Sequence, residues 1–166
     1  MKSGQHGITL IELIISIVVI GILVAIATTR VNTSSITLSQ QAEAFAADIR
    51  HTQSLAIHWG CQLTIAATTA PAEYQVLSKS SYAGKICSAA ATVIKDPRNG
   101  NDFTATLVNG IVFSANQTLY FDSFGRPIDI VGSIISADTV FTLTKSGVSY
   151  EIRVVPLSGY VTVVKL

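Results

Sequence analysis

This chain of 166 residues carries little charge. Asp, Glu, Lys and Arg together make up 13% of it, and none of the four falls between Leu13 and Thr29. A net charge of +1, with a pI near 7.8, gives no general reason to expect a nucleic-acid or acidic partner. Metal ligands are equally sparse. His51 and His58 share a helix face, but no Glu or third ligand stands at a spacing that completes a zinc site, so solvated or cap-side histidines are expected. Asp129, Asp138 and the many serines form no nucleophile motif such as G-x-S-x-G; neither an enzyme nor a cofactor is expected. The stretch Asp96-Pro97-Arg98-Asn99-Gly100-Asn101-Asp102 offers oxygen ligands, yet Arg98 and the absent terminal Glu break the calcium-hand spacing. It reads as a plain Asn-Gly turn. Internal repeats, charged tails and long low-complexity stretches are also missing.

What is present begins at Gly7-Ile8-Thr9-Leu10-Ile11-Glu12-Leu13, which opens an apolar run reaching to about Ala27 with one carboxylate inside it. As a helix, Ile8 to Ala27 extends about 30 Å, the thickness of a bilayer's hydrocarbon core. One membrane crossing is therefore expected. Lys2 and the amino terminus precede the run and Arg30 alone follows closely, so the positive-inside rule leaves the rest of the chain outside the cytoplasm. A charge at membrane depth costs roughly 2.5 to 3.5 kcal/mol on insertion scales, which marks Glu12 as a functional residue seeking a partner. In a bundle of such helices, a neighbour's N-terminal amine beside Glu12 would neutralise it and offset part of the desolvation. The carboxylate then favours assembly over isolation and fixes axial register, as one buried polar residue does in a coiled coil.

This opening resembles the type III signal of type IV pilins and pseudopilins: a short polar leader ending in Gly, then a long apolar helix with Glu at its fifth position. Counting Ile8 as first, Glu12 is fifth. The resemblance implies that a prepilin peptidase cuts between Gly7 and Ile8 and methylates the new amine of Ile8. Ile8 stands where Phe is usual, and no Pro appears near Thr29, so no local breaker stops the first helix from continuing through Thr28 and Thr29. Two plainer readings stay open. Ala25-Ile26-Ala27 offers the A-x-A-like site of a secretory signal, although Glu12 interrupts its apolar region. A simple single-span anchor is the other, although spans avoid unpaired carboxylates. N-terminal sequencing separates the three, with starts at methylated Ile8, at Thr28 or at Met1.

Roughly 135 residues follow the span, enough for one domain with a real core. Leu38, Ala42, Phe45, Ile49 and Ala56 recur at helical spacings, with Gln40, Gln41, Glu43, Asp48 and Arg50 between them. An amphipathic helix is predicted from Ser34 or Ser35 to Gly60, a natural C-terminal cap. From Cys61 the segments become short and β-branched: Cys61 to Ala66, Tyr74 to Ser78, Phe103 to Val108, Ile111 to Phe113, Thr118 to Phe121, Val140 to Thr144, Tyr150 to Val155 and Val161 to Val164. A helix followed by antiparallel strands is an α+β layout.

Arg50-x-x-Gln53-x-x-Ala56, the turn Phe121-Asp122-Ser123-Phe124-Gly125-Arg126-Pro127, and Tyr150 to Val155 followed by Ser158-Gly159 resemble the H-type pseudopilin and FimT-type minor pilin domain. The resemblance implies a pilin-like fold, a long N-terminal helix packed on antiparallel sheets, in a low-abundance subunit at or near a filament tip. Read from the residues alone, Gly125 supplies a positive φ, Pro127 sets the start of the next strand and Arg126 is only solvated. Some FimT-type pilins take up DNA through an Arg-bearing stretch after the last turn's Gly; Ser158-Gly159-Tyr160-Val161-Thr162 has no Arg there. Lys145, Arg153 and Lys165 remain as a weak DNA contact if they gather on one face, though phosphate binding needs several converging cations. In an extracytoplasmic domain Cys61 and Cys87 are expected to form a disulfide, closing a loop of about 25 residues and contributing roughly 3 kcal/mol, with two buried thiols as the alternative.

The organisation expected is a leader at 1–7, a transmembrane assembly helix at 8–29, an amphipathic helix at 30–60 and a β-rich periplasmic domain at 61–166. The expected role is that of a minor pilin or pseudopilin in the inner membrane and its filament. Its partners are the prepilin peptidase, other pilin or pseudopilin subunits and the inner-membrane assembly platform. A DNA-receptor pilin and an anchored or secreted periplasmic binding domain are the alternatives from other classes.

Overall fold

Heptad-like spacing of apolar residues after Asn32 dictates the helix on which the head is built. In the computed structural model, which describes residues 10–28, 33–78 and 91–166, that helix is α2, Thr33–Trp59, and a helix α1 covers Leu10–Thr28. The chain divides into two compact units, Met1–Thr33 and Ser34–Leu166. The expected passage of one helix through Thr29 lies outside the described residues.

Every residue of the predicted stripe, Leu38, Ala42, Phe45, Ile49 and Ala56, is completely buried, and Ala46, Thr52 and Leu55 widen it. Asp48 departs from the pattern. Expected on the solvent face, it is only 8% exposed, because partners from elsewhere in the fold meet its carboxylate. The helix stops where Gly60 takes φ 63°: Cys61 N–H reaches back to the Ala56 carbonyl at 3.1 Å and Gly60 N–H to that of Ile57 at 3.2 Å, the two bonds of a Schellman cap.

Ten strands follow. β1 (Leu63–Thr69), β2 (Ala72–Ser78), β3 (Thr92–Val93), β4 (Thr104–Thr106), β6 (Gln117–Phe121) and β7 (Pro127–Ile128) form one antiparallel sheet, with β1 between β2 and β6. β5 (Val112–Phe113), β8 (Thr139–Lys145), β9 (Val148–Val154) and β10 (Val161–Lys165) form the second, in the order β10-β9-β8-β5. The α+β expectation holds, and all eight predicted strand segments contain a strand. Two strands were not anticipated, β3 and β7, each of two residues. The first turn is also tighter than expected: β1 and β2 run on to Thr69 and Ala72, leaving only Ala70-Pro71, joined by a cis peptide bond.

Alternation along the strands sorts side chains into a core face and an outer face. In the first sheet, rows Val76–Ile65–Leu119 and Ser78–Leu63–Phe121 point inward; in the second, Phe141–Ile152 and Leu143–Phe113 do. Phe45 is where the three layers meet. Its ring packs edge-on against Tyr74 of the first sheet at 4.6 Å and against Phe113 and Phe141 of the second at 5.1 and 5.0 Å.

Candidate functional site

Two regions carry the residues that the sequence singled out. In α1, Glu12 stands in the first turn, and its carbonyl accepts a 2.7 Å bond from the Ser16 hydroxyl. Around it, Leu10, Ile11, Leu13, Ile14, Ile15, Ile17, Val18, Val19 and Ile20 are all about half exposed or more. An exposed aliphatic surface of that length marks an interaction or membrane site. Side chains of α1 are described as far as Ile20, and among the described residues no helix is long and apolar enough to cross a membrane. The expected span at 8–29 extends beyond them, as do Gly7 and Ile8.

In the head, the three sequence motifs converge. Gln53 of α2 donates both hydrogens of its amide, one to the Gly125 carbonyl at 2.8 Å in the β6–β7 turn, the other to the Ser158 carbonyl at 2.9 Å in the β9–β10 turn. One side chain thus ties the helix to a turn from each sheet. Both glycines fit this approach sterically as well as by positive φ. A Cβ at Gly125 would stand 2.7 Å from Ile57 Cδ1, and one at Gly159 would collide with Gln53 Nε2. One turn earlier on α2, Arg50 donates to the Val161 carbonyl at 2.9 Å. Arg126 is not merely solvated: it forms an ion pair with Asp122 at 2.7 Å, and its guanidinium lies 5.1 Å from the Phe124 ring centre. The Asp122 carboxylate also accepts N–H bonds from Phe124 and Arg126, which makes the turn rigid.

A second cluster escaped the sequence reading. Arg98, from the loop read as a plain turn, reaches Asp48 at 2.8 Å and grips the buried Asp96 through its Nε and Nη2. Tyr74 donates its hydroxyl to the other Asp48 oxygen at 2.7 Å. These hydrogen bonds from Arg98 hold the Asp96 carboxyl below its ordinary range. Burial, reinforced by the Asp48 hydrogen bond, pushes the Tyr74 hydroxyl far above its ordinary 10.0. No signal local in sequence links these four residues; the loop's acidic oxygens face cations of the same chain, with Asp102 paired to Lys95 at 2.7 Å. His51 also departs from expectation. It is half-buried against Phe103, ring centres 5.8 Å apart, while His58 is exposed.

The three cations weighed for DNA do not gather. Lys145 and Lys165 share strand parity with core-facing Leu143 and Tyr150, whereas Arg153 lies on the outer face of the second sheet, where it pairs with Glu151 at 3.1 Å and Asp138 at 3.5 Å. Cys61 is buried at the start of the first sheet, and Cys87 lies outside the described residues.

A family model of the prokaryotic N-terminal methylation motif matches residues 2–28. No curated protein matches the chain in sequence. Among solved structures, the chain is similar to the minor pseudopilin EpsH from the type 2 secretion system of Vibrio cholerae, with a TM-score of 0.50 and 15% identity over 77% of this chain and 96% of that one. At such identity the likeness speaks for the fold.

Proposed function

We propose that this chain, which carries the N-terminal methylation motif of prepilin-type proteins and the α+β fold of a minor pseudopilin, is a structural subunit rather than an enzyme. In this reading a prepilin peptidase cuts between Gly7 and Ile8 and methylates Ile8. The apolar helix at 8–29 then holds the subunit in the inner membrane with its head in the periplasm, until it joins other pilin or pseudopilin subunits at the assembly platform. The result is a type IV pilus or a type II secretion pseudopilus. The single observation that carries the proposal is the methylation motif lying on a helix whose aliphatic residues are exposed throughout Leu10–Ile20.

Glu12 is the assembly residue in this proposal. A neighbouring subunit's methylated amine beside Glu12 would offset part of the cost of holding a carboxylate amid aliphatic side chains. Glu12→Ala is therefore expected to leave membrane insertion intact and to reduce co-purification with the major subunit; unchanged co-purification would sink the assignment. Edman or mass analysis of the mature chain tests the cleavage, with methylated Ile8 expected as the first residue and a start at Thr28 or Met1 counting against it.

A further inference from the structure

The chain contains two Asn-Gly pairs, Asn99-Gly100 and Asn109-Gly110, each exposed and each with a glycine at positive φ, 75° and 73°. Such pairs are chemically labile because glycine leaves its own backbone nitrogen free to reach the preceding carboxamide. In sequence the two are equivalent. Their hydrogen bonding separates them.

At the first pair both reacting groups are tied. Gly100 N–H donates to the Asp96 carbonyl at 2.7 Å, and Asn99 Oδ1 accepts the Asn101 N–H at 2.9 Å. Asp96 is itself held by Arg98. At the second pair, Asn109 has φ 61° and Gly110 φ 73°, the pattern of a type I′ turn, closed by a 3.3 Å bond from Ile111 N–H to the Val108 carbonyl. Among the described residues, no hydrogen bond engages the Gly110 N–H or the Asn109 carboxamide. Nothing stands within 4 Å of where a Cβ at either glycine would be, so hydrogen bonding and not steric room separates the two pairs.

We infer that Asn109 is a site of spontaneous covalent modification in the folded protein and that Asn99 is protected from it. The Gly110 nitrogen gives its proton to solvent base and bonds to Asn109 Cγ; the Cγ–Nδ2 bond breaks and ammonia leaves, closing a succinimide. Water then opens the ring. Breaking the nitrogen bond to Cγ yields aspartate, and breaking the bond to the main-chain carbonyl carbon yields isoaspartate, with no oxidant or reductant involved. Either product puts a carboxylate beside Val108, whose N–H and carbonyl are both held by the Gln41 side chain of α2, at 3.1 and 3.3 Å. The isoaspartyl form also lengthens the backbone within that tethered turn.

The test is incubation of the full chain in detergent micelles at mildly alkaline pH, followed by peptide mass spectrometry with fragmentation that resolves positions 99 and 109. The amide-to-acid mass gain is expected several-fold faster at Asn109 than at Asn99 in the folded chain, and at similar rates once urea unfolds it. Asn109→Gln is expected to abolish the fast conversion. Equal or faster conversion at Asn99 in the folded chain overturns the inference. So does an Asn109 that stays intact when folded yet converts in urea.

Discussion

A single amide, that of Gln53, has no substitute in its position. Replacing it with Ala strips a donor from two turn carbonyls at once, and an unmade hydrogen bond costs more than a made one gains. Gln53→Ala is expected to lower stability by about 1 to 2 kcal/mol in urea unfolding. Gly159→Ala is expected to be at least as damaging: it adds an αL penalty of roughly 1 to 2 kcal/mol to a collision with Gln53. A Gly159→Ala variant with wild-type stability would refute the close approach. The cluster of Asp48, Tyr74, Arg98 and Asp96 adds a pH-dependent contribution to the stability of the head. Asp96 is more acidic when folded than unfolded, so its contribution is present above about pH 4 and is lost as pH falls through the folded value. Arg98→Ala should therefore flatten the acid limb of a stability–pH curve. Tyr74 runs the other way: its hydroxyl resists ionisation when folded, so stability is present below pH 10.0 and declines as pH rises past it. An alkaline limb unchanged in Tyr74→Phe would contradict this.

At the scale of elements, α2 brings more residues to the core cluster than any single strand, and the centre of its stripe was legible because period-3.6 burial goes to one core. Phe45→Ala empties the point where both sheets meet the helix, and large-to-small changes of this kind cost about 3 to 5 kcal/mol. Thermal unfolding near the wild-type midpoint would show that the aromatic contacts are not coupled to stability. The longer strands were legible for a similar reason, since β-branched residues alternate with polar ones along them. β3 and β7 were not, because two residues carry no periodicity and owe their strand geometry to neighbours: Leu77↔Val93 for the one, Tyr120↔Ile128 for the other. Asp48 was misread for a cause that lies outside its own helix. Its charge pattern says solvent, and only partners 26 and 50 positions away in sequence reverse that reading. The motifs around Gln53, Gly125 and Gly159 were visible as residue types, but their convergence on one amide was not, since it depends on how two sheets fold over one helix.

For the molecule as a whole, the near balance of charge argues against phosphate recognition more firmly than the sequence alone did, because Arg153 is already paired and faces away from the parity of Lys145 and Lys165. The head from Ser34 onward is expected to give no retarded DNA in a gel shift even at low salt; a shift that weakens steeply with salt would restore the DNA reading. If Cys61 and Cys87 are bridged as their sequence context leads one to expect, reduction should release two thiols and lower stability by roughly 3 kcal/mol.

Helix, Gln53, one turn, its sheet, the core and back to the helix make a closed loop of contacts, and the second turn closes another through the same amide. A closed loop transmits displacement in both directions. Gln53 thus gives the β6–β7 turn a link to the β9–β10 turn that does not pass through the hydrophobic core, at the end of the head where the two sheets share no hydrogen-bond ladder.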